Sequence, residues 1–244
     1  MKTFNYHSAK DVKEASKLSS SNSAYLAGGM TTIPSIKLGL ASYRDIIDIK
    51  GIKSLSGIKV SGKSVKIGAT TKHVEVAKSK DLKKAIPSLA ALAEGIGDPQ
   101  VRNRGTIGGS IANNDPAADY PSACLALNAT IHTNKRKISA DKFFKGMFET
   151  SLKKGELIEA IEFEIPEKSS YAKFPNPASR YAIVGVYVSK FKKEVKVAVT
   201  GVESCVFRCK KIEDALANNF STSAIDSVNI SSKGFNSDIH ATAE

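Results

Sequence analysis

Cysteine is scarce in this 244-residue chain. The three present, Cys124, Cys205 and Cys209, are too few and too scattered for a disulfide framework. Cys205 and Cys209 have no second cysteine pair, and His7, His73, His132 and His240 stand far apart in sequence. Neither a zinc site nor an iron–sulfur cluster is therefore spelled out, and a redox metal is expected only on another polypeptide. Long apolar runs are missing too. No stretch reaches the roughly 18 residues of a transmembrane helix. The start MKTFNYHSAK has no apolar segment behind its lysine, so a secretory leader is not expected. Asn128, Asn219 and Asn229 head N-x-S/T triplets, which carry no meaning in an unsecreted protein. The expected compartment is a reducing cytoplasm.

Acidic residues fall short of basic ones, 24 against 36, leaving a formal charge of +12. The lysines are spread along the whole length, with no basic stripe interleaved with aromatics and no recognition-helix motif. They read as a solvated surface, and nucleic acid is not the expected partner. With 41% hydrophobic residues, the chain is able to bury a core.

Local patterns mix helix and strand without regular alternation, which gives an α+β class and argues against a doubly wound parallel sheet. Ser8 is expected to cap a short helix carrying Val12, Ala15 and Leu18. Ala24–Ala27 reads as a strand, residues 31 to 38 as a helix with proline in its first turn, and 44 to 49 as another strand. Gly57 to Ser64 fits the phosphate-loop pattern G-x-x-x-x-G-K-S letter for letter. That motif needs a helix to begin at Lys63, whereas Ser64-Val-Lys-Ile-Gly68 alternates with period two; a hairpin is expected instead. Thr71 is expected to cap a helix to Lys78, and residues 81 to 94 form a helix broken near Pro87. Residues 119–127 read as helix, and 129–133, 137–139 and 157–165 as strands. The stretch from Lys168 to Pro177 has linker character. Beyond it come a hairpin over 182–202 and a helix over about 212–218.

Two glycine-rich segments carry the chemistry. Leu26-Ala27-Gly28-Gly29-Met30-Thr31-Thr32-Ile33 lies between strand and helix, where glycine lets the backbone approach a ligand and successive amides form an anion site. Thr106-Ile107-Gly108-Gly109-Ser110 brackets a second glycine pair with hydroxyls. Asp119, nine residues on, is an acceptor for sugar hydroxyls. Two donor loops, with no G-x-G-x-x-G, point to a diphosphate-bearing cofactor outside a Rossmann domain. No nucleophile–base pair, carboxylate dyad or metal cluster that would run substrate chemistry can be picked out.

The first loop, together with IGDPQVRNRGTIGGSIANNDPAADYP at 96–121, resembles the FAD-binding subunit of molybdenum hydroxylases, including the carbon monoxide dehydrogenase medium chain and the xanthine dehydrogenase flavin domain. The likeness continues through Gly155-Glu-Leu-Ile158, Tyr171-Ala-Lys-Phe174 and Ala182-Ile-Val-Gly-Val186. It implies a two-lobed, non-Rossmann FAD-binding domain of the PCMH/VAO-like type over residues 1–166, and a small α+β C-terminal domain over 167–244. The family runs on past this point into a final helix, so the chain is expected to be shortened there. Leu26–Ile33 and Thr106–Ser110 would wrap the FAD diphosphate, Asp119 would bind ribityl or ribose hydroxyls, and Ile96, Ile158 and Lys173 would meet the flavin or adenine portion. Arg102 and Arg104 read either as packing residues or as cofactor contacts, and Tyr181 as a core aromatic in preference to a neighbour of the isoalloxazine ring. Arg180 stands where relatives often carry an acidic residue.

The function so implied is that of an oxidoreductase subunit without catalytic residues or a metal of its own. It would take electrons from [2Fe–2S] clusters on a small subunit and pass them to an external acceptor. The substrate would be oxidised on a large molybdenum-cofactor subunit, in a dimer of heterotrimers. The other class is a self-sufficient FAD-dependent oxidoreductase of the VAO-like group, for which the segment after residue 166 is small. A substrate pocket on another polypeptide leaves carbon monoxide, purines, aldehydes and aromatic thioesters all open.

Overall fold

The structure, a computed structural model, describes residues 3–244. It opens with β1 (Asn5–Ser8), α1 (Val12–Leu18), β2 (Ser23–Leu26), α2 (Thr32–Lys37) and β3 (Asp45–Asp48). The three strands form a parallel sheet in the order β1-β3-β2. Successive residues of the central strand face opposite sides. Ile47 meets Ala15 and Leu157, and Ile46 meets Leu26 and Ile36. Both isoleucines are fully buried, and each contributes about 1.5–3 kcal/mol. Ser8, expected as a helix cap, ends β1 instead. The cap is Asp11, which accepts from the Glu14 amide at 2.8 Å.

The second lobe begins with the expected hairpin, β4 (Ile58–Ser61) and β5 (Ser64–Gly68), paired Ser61 to Ser64. Lys63 sits in the turn, and the phosphate-loop reading is excluded. Helices α3 (His73–Lys78), α4 (Lys80–Ala85), α5 (Pro87–Glu94), α6 (Pro99–Arg104), α7 (Ile107–Asn113) and α8 (Tyr120–Ala126) follow. Thr71 does not cap α3; its hydroxyl accepts the Gly57 amide at 2.9 Å. The Lys72 amide, at the start of α3, donates to Glu75 at 2.7 Å. Next come β6 (Thr130–Thr133), β7 (Lys137–Ser139), the single turn α9 (Ala140–Phe143), a small hairpin β8 (Phe144–Gly146) and β9 (Glu149–Thr150), and β10 (Ile158–Glu164). The resulting five-stranded antiparallel sheet, β4-β5-β10-β6-β7, packs Val65, Ile67, Ile131, Ile161 and Phe163 against the helices.

Residues read as a linker form a strand, β11 (Lys168–Pro175), at the edge of a second antiparallel sheet. It continues through β12 (Ala182–Lys190), β13 (Val195–Thr200) and β14 (Phe207–Arg208). One face gives Tyr187 and Ala198 to the large core. The other gives Val195, Val197 and Val199 to α10 (Lys210–Asn218). The fold mixes α and β. No helix among the described residues is long and apolar enough to cross a membrane.

Candidate cofactor site

A cavity of about 510 Å³ opens where β2 ends, walled by both lobes and by the turn between β11 and β12. That is a size typical of small-molecule sites.

Ala27, Gly28, Gly29, Met30, Thr31 and Thr32 line it. Leu26 and Ile33 do not; they pack behind the loop with Ile36 and Ile46. Gly29 takes φ 77°, which a residue without Cβ adopts freely. A Cβ at Gly28 would collide with the carbonyl of Arg104 and come within 2.8 Å of the Gly105 Cα, so the two segments touch backbone to backbone. The amides of Gly28 through Thr32 find no acceptor among the described residues. Unmatched donors on a cavity wall fit an oxygen-rich anion.

The second glycine segment is not a loop. Thr106 caps α7, accepting the Gly109 amide at 3.1 Å, and the glycine pair lies in the first turn. Its amides face inward, Ile107 to the Thr71 carbonyl at 3.1 Å, Gly108 to that of Ala69 at 2.9 Å and Ser110 to that of Thr106 at 3.0 Å. Ile107 is core. The expectation that these amides face a diphosphate is corrected. What reaches the cavity is the Thr106, Gly108, Gly109 and Ser110 surface, with two hydroxyls.

Asp119 lines the cavity at 5% exposure. It already holds the Lys173 ammonium at 3.0 Å and the Tyr171 hydroxyl. Burial pushes its pKa up, against the pull of Lys173 and Tyr171. Lys173 is not on the wall. Its Nζ is tied to the carbonyls of Gly95 at 2.8 Å and Arg180 at 3.1 Å, just outside. Ile96 and Ile158 do line the cavity. Arg102 proves to be a packing residue, donating to the carbonyls of Ile96 at 3.1 Å and Gly97 at 3.0 Å.

Tyr181 is not a core aromatic; it is 46% exposed and faces the cavity beside Arg180, whose φ is 62°. Two further lining residues left no mark in the sequence. His73 is buried with Nδ1 unpartnered among the described residues, and burial, then Arg102, lowers its pKa to about 4. Glu156 is buried against Arg136. Burial would raise its pKa, but Arg136, the Lys153 amide and Thr133 outweigh that and hold it at about 2. Both are single polar side chains buried by tertiary packing, which no periodicity announces.

Orphan amides at the centre, aliphatic walls from Ile49, Ile96, Leu152 and Ile158, and hydroxyls from Thr32 and Ser110 suit a molecule with an anionic middle and flat apolar ends. The comparisons agree. Residues 2–167 match the family described as the FAD binding domain in molybdopterin dehydrogenase. The chain is 38% identical over 223 residues to the glyceraldehyde dehydrogenase medium chain of Sulfolobus acidocaldarius, covering 86% of this chain and 79% of that one. It is 34% identical over 222 residues to the carbon monoxide dehydrogenase medium chain of Hydrogenophaga pseudoflava, covering 84% and 77%. A solved structure of carbon monoxide dehydrogenase from Hydrogenophaga pseudoflava superposes with a TM-score of 0.85 at 34% identity, over 92% of this chain and 84% of that one. The chain belongs to the family of FAD-binding domains of molybdopterin dehydrogenases.

Proposed function

We propose that this chain is the flavin subunit of a molybdenum hydroxylase complex, passing electrons from a [2Fe–2S] partner to an external acceptor. The molybdenum cofactor and the substrate belong to a large subunit, and the complex is a dimer of heterotrimers in the cytoplasm. The observation that carries the reading is the row of acceptor-free amides from Gly28 to Thr32 on the cavity wall, in a chain of this family. Relatives named as medium chains and FAD subunits support the placement in a larger assembly.

In this reading the Gly28–Thr32 amides and the hydroxyls of Thr31, Thr32, Thr106 and Ser110 hold the FAD diphosphate. Gly108 and Gly109 give it room. Ile96 and Ile158 flank its two ends, and Asp119 accepts sugar hydroxyls while Lys173 fixes its carboxylate. Leu26, Ile33 and Ile107 back these surfaces from the core. Bound FAD supplies reversible redox chemistry; the protein supplies position, dipoles and exclusion of water. The domain is of the non-Rossmann PCMH/VAO-like type, with the boundary at 166/167 and a smaller C-terminal domain after it. The family match ending at residue 167 supports that division.

Co-purification of the native complex tests the reading. Iron- and molybdenum-bearing chains should accompany this one together with flavin. Flavin without those chains would point to a self-sufficient oxidoreductase and contradict it.

A further inference from the structure

Residues 151–157 form a strap between β9 and β10 that, with Ile158 at the start of β10, delivers Leu152, Glu156 and Leu157 to the cavity. The Glu156 carboxylate is completely buried and saturated. One oxygen accepts from Thr133 Oγ1 at 2.7 Å and Arg136 Nε at 2.9 Å. The other accepts from Arg136 Nη2 at 3.1 Å and the Lys153 amide at 2.8 Å. With four donors on about four lone-pair positions, nothing remains for a ligand. Arg136 Nη2 also donates to the Ser151 carbonyl at 2.6 Å. The same turn clasps Leu157, whose amide donates to Asn134 Oδ1 at 2.9 Å while the Asn134 amide donates to the Leu157 carbonyl at 3.0 Å. Two bonds reach the first lobe, Asn134 Nδ2 to Ser16 Oγ at 2.7 Å and the Tyr25 hydroxyl to the Gly155 carbonyl at 3.2 Å.

We propose that Arg136 and Glu156 are the positioning pair of the cofactor cavity. Their ion pair, a buried carboxylate held by a solvent-facing guanidinium, fixes the strap so that Leu152, Leu157 and Ile158 stand as a preset apolar end wall, without either charge touching the cofactor. This rests on the reading that the cavity holds FAD. A bidentate guanidinium is the suitable partner, because its planar fork sets the angle of the carboxylate as well as its distance. Leu152, Leu157 and Ile158 offer a phosphate no donor side chain, so this end takes a ring system. Other groups near the pair do not replace Arg136. Lys153 offers its amide, the Lys135 ammonium sits on the Lys154 carbonyl at 3.2 Å, and the Tyr25 hydroxyl is spent on Gly155.

The test is FAD affinity of the full-length chain, followed by flavin fluorescence from about pH 5 to 8, alongside the melting temperature of the flavin-free protein. Wild type should bind with no pH trend arising from this pair. Arg136→Met should bind roughly tenfold or more weakly, and weaken further as pH rises, because the buried Glu156 carboxylate keeps only Thr133 and the Lys153 amide and its pKa moves up. Arg136→Lys should recover part of the affinity. Arg136→Met combined with Glu156→Leu should bind weakly without the pH trend. Flavin-free melting should fall in Arg136→Met, which leaves the buried carboxylate without its cation, but by less than the loss of affinity implies. Should Arg136→Met not fold, Arg136→Lys and Glu156→Gln carry the comparison, each predicted to weaken FAD more than it lowers melting. Affinities within about twofold of wild type, or losses that merely track melting, would overturn the proposal. A wild type that refuses FAD at every pH would instead sink the underlying reading.

Discussion

Lys173 and Asp119 meet at 3.0 Å although 54 residues separate them, each with a side chain no more than 10% exposed. The pair ties an edge strand of the C-terminal sheet to the wall of the cofactor cavity, and the same ammonium holds the carbonyls of Gly95 and Arg180. It links the position of Ile96, next to Gly95, to that of Tyr181, next to Arg180.

Lys173→Met leaves Asp119 buried with only the Tyr171 hydroxyl and its own amide to stabilise its charge. Burial already raises the Asp119 pKa above its unfolded value, and losing the cation raises it further. A carboxyl with a raised folded pKa contributes stability below its unfolded pKa and loses it as pH rises through the folded one. The variant should therefore fall progressively behind wild type as pH rises, by about 3 kcal/mol near pH 8. Urea unfolding at several pH values measures this. A pH-independent deficit would count against it.

The two glycine segments should respond differently. At Gly28 even alanine meets the Arg104 carbonyl and the Gly105 backbone, neither of which can yield without moving α6. Gly28→Ala should cost about 2 kcal/mol or more and reduce soluble yield. At Gly109 the nearest atom is the Thr106 hydroxyl, at 3.0 Å, and larger side chains reach into the cavity. Gly109→Val should lower FAD affinity roughly tenfold with a much smaller change in melting than Gly28→Ala. Thermal melts with and without FAD separate the two effects.

His73 should mark the acid side of the stability curve. Its folded pKa, lowered from 6.5 to about 4 by burial and Arg102, favours the neutral ring. The contribution is complete above pH 6.5 and is lost as pH falls toward 4, at about 1.4 kcal/mol per unit. His132 is lowered as well, chiefly by burial, and titrates in the same direction. Comparing wild type with His73→Gln isolates the first. Parallel stability curves between pH 4 and 6.5 would refute the assignment.

How much of this was legible depends on whether a feature is local. The Ile58–Gly68 hairpin was readable because Val65 and Ile67 alternate with polar residues under a helical layer. β1 was not, since Tyr6 is 57% exposed and its strand shows no alternation. α7 hid behind a glycine pair that discourages helix until Thr106 caps it. β11 looked like a linker because it lies on a sheet edge with five of its eight residues exposed. At the site, the first glycine loop and Asp119 announced themselves by composition. The Arg136–Glu156 and Lys173–Asp119 pairs arise only when distant segments fold together, and spacing carries no trace of them.

The central claim is that the cavity beside Gly28–Thr32 binds FAD non-covalently. The direct measurement is the visible spectrum of the full-length chain purified with its companion subunits, before and after denaturation. The account predicts a yellow protein with about one flavin per chain, released intact on unfolding. A colourless complex that also takes up no added FAD would contradict it.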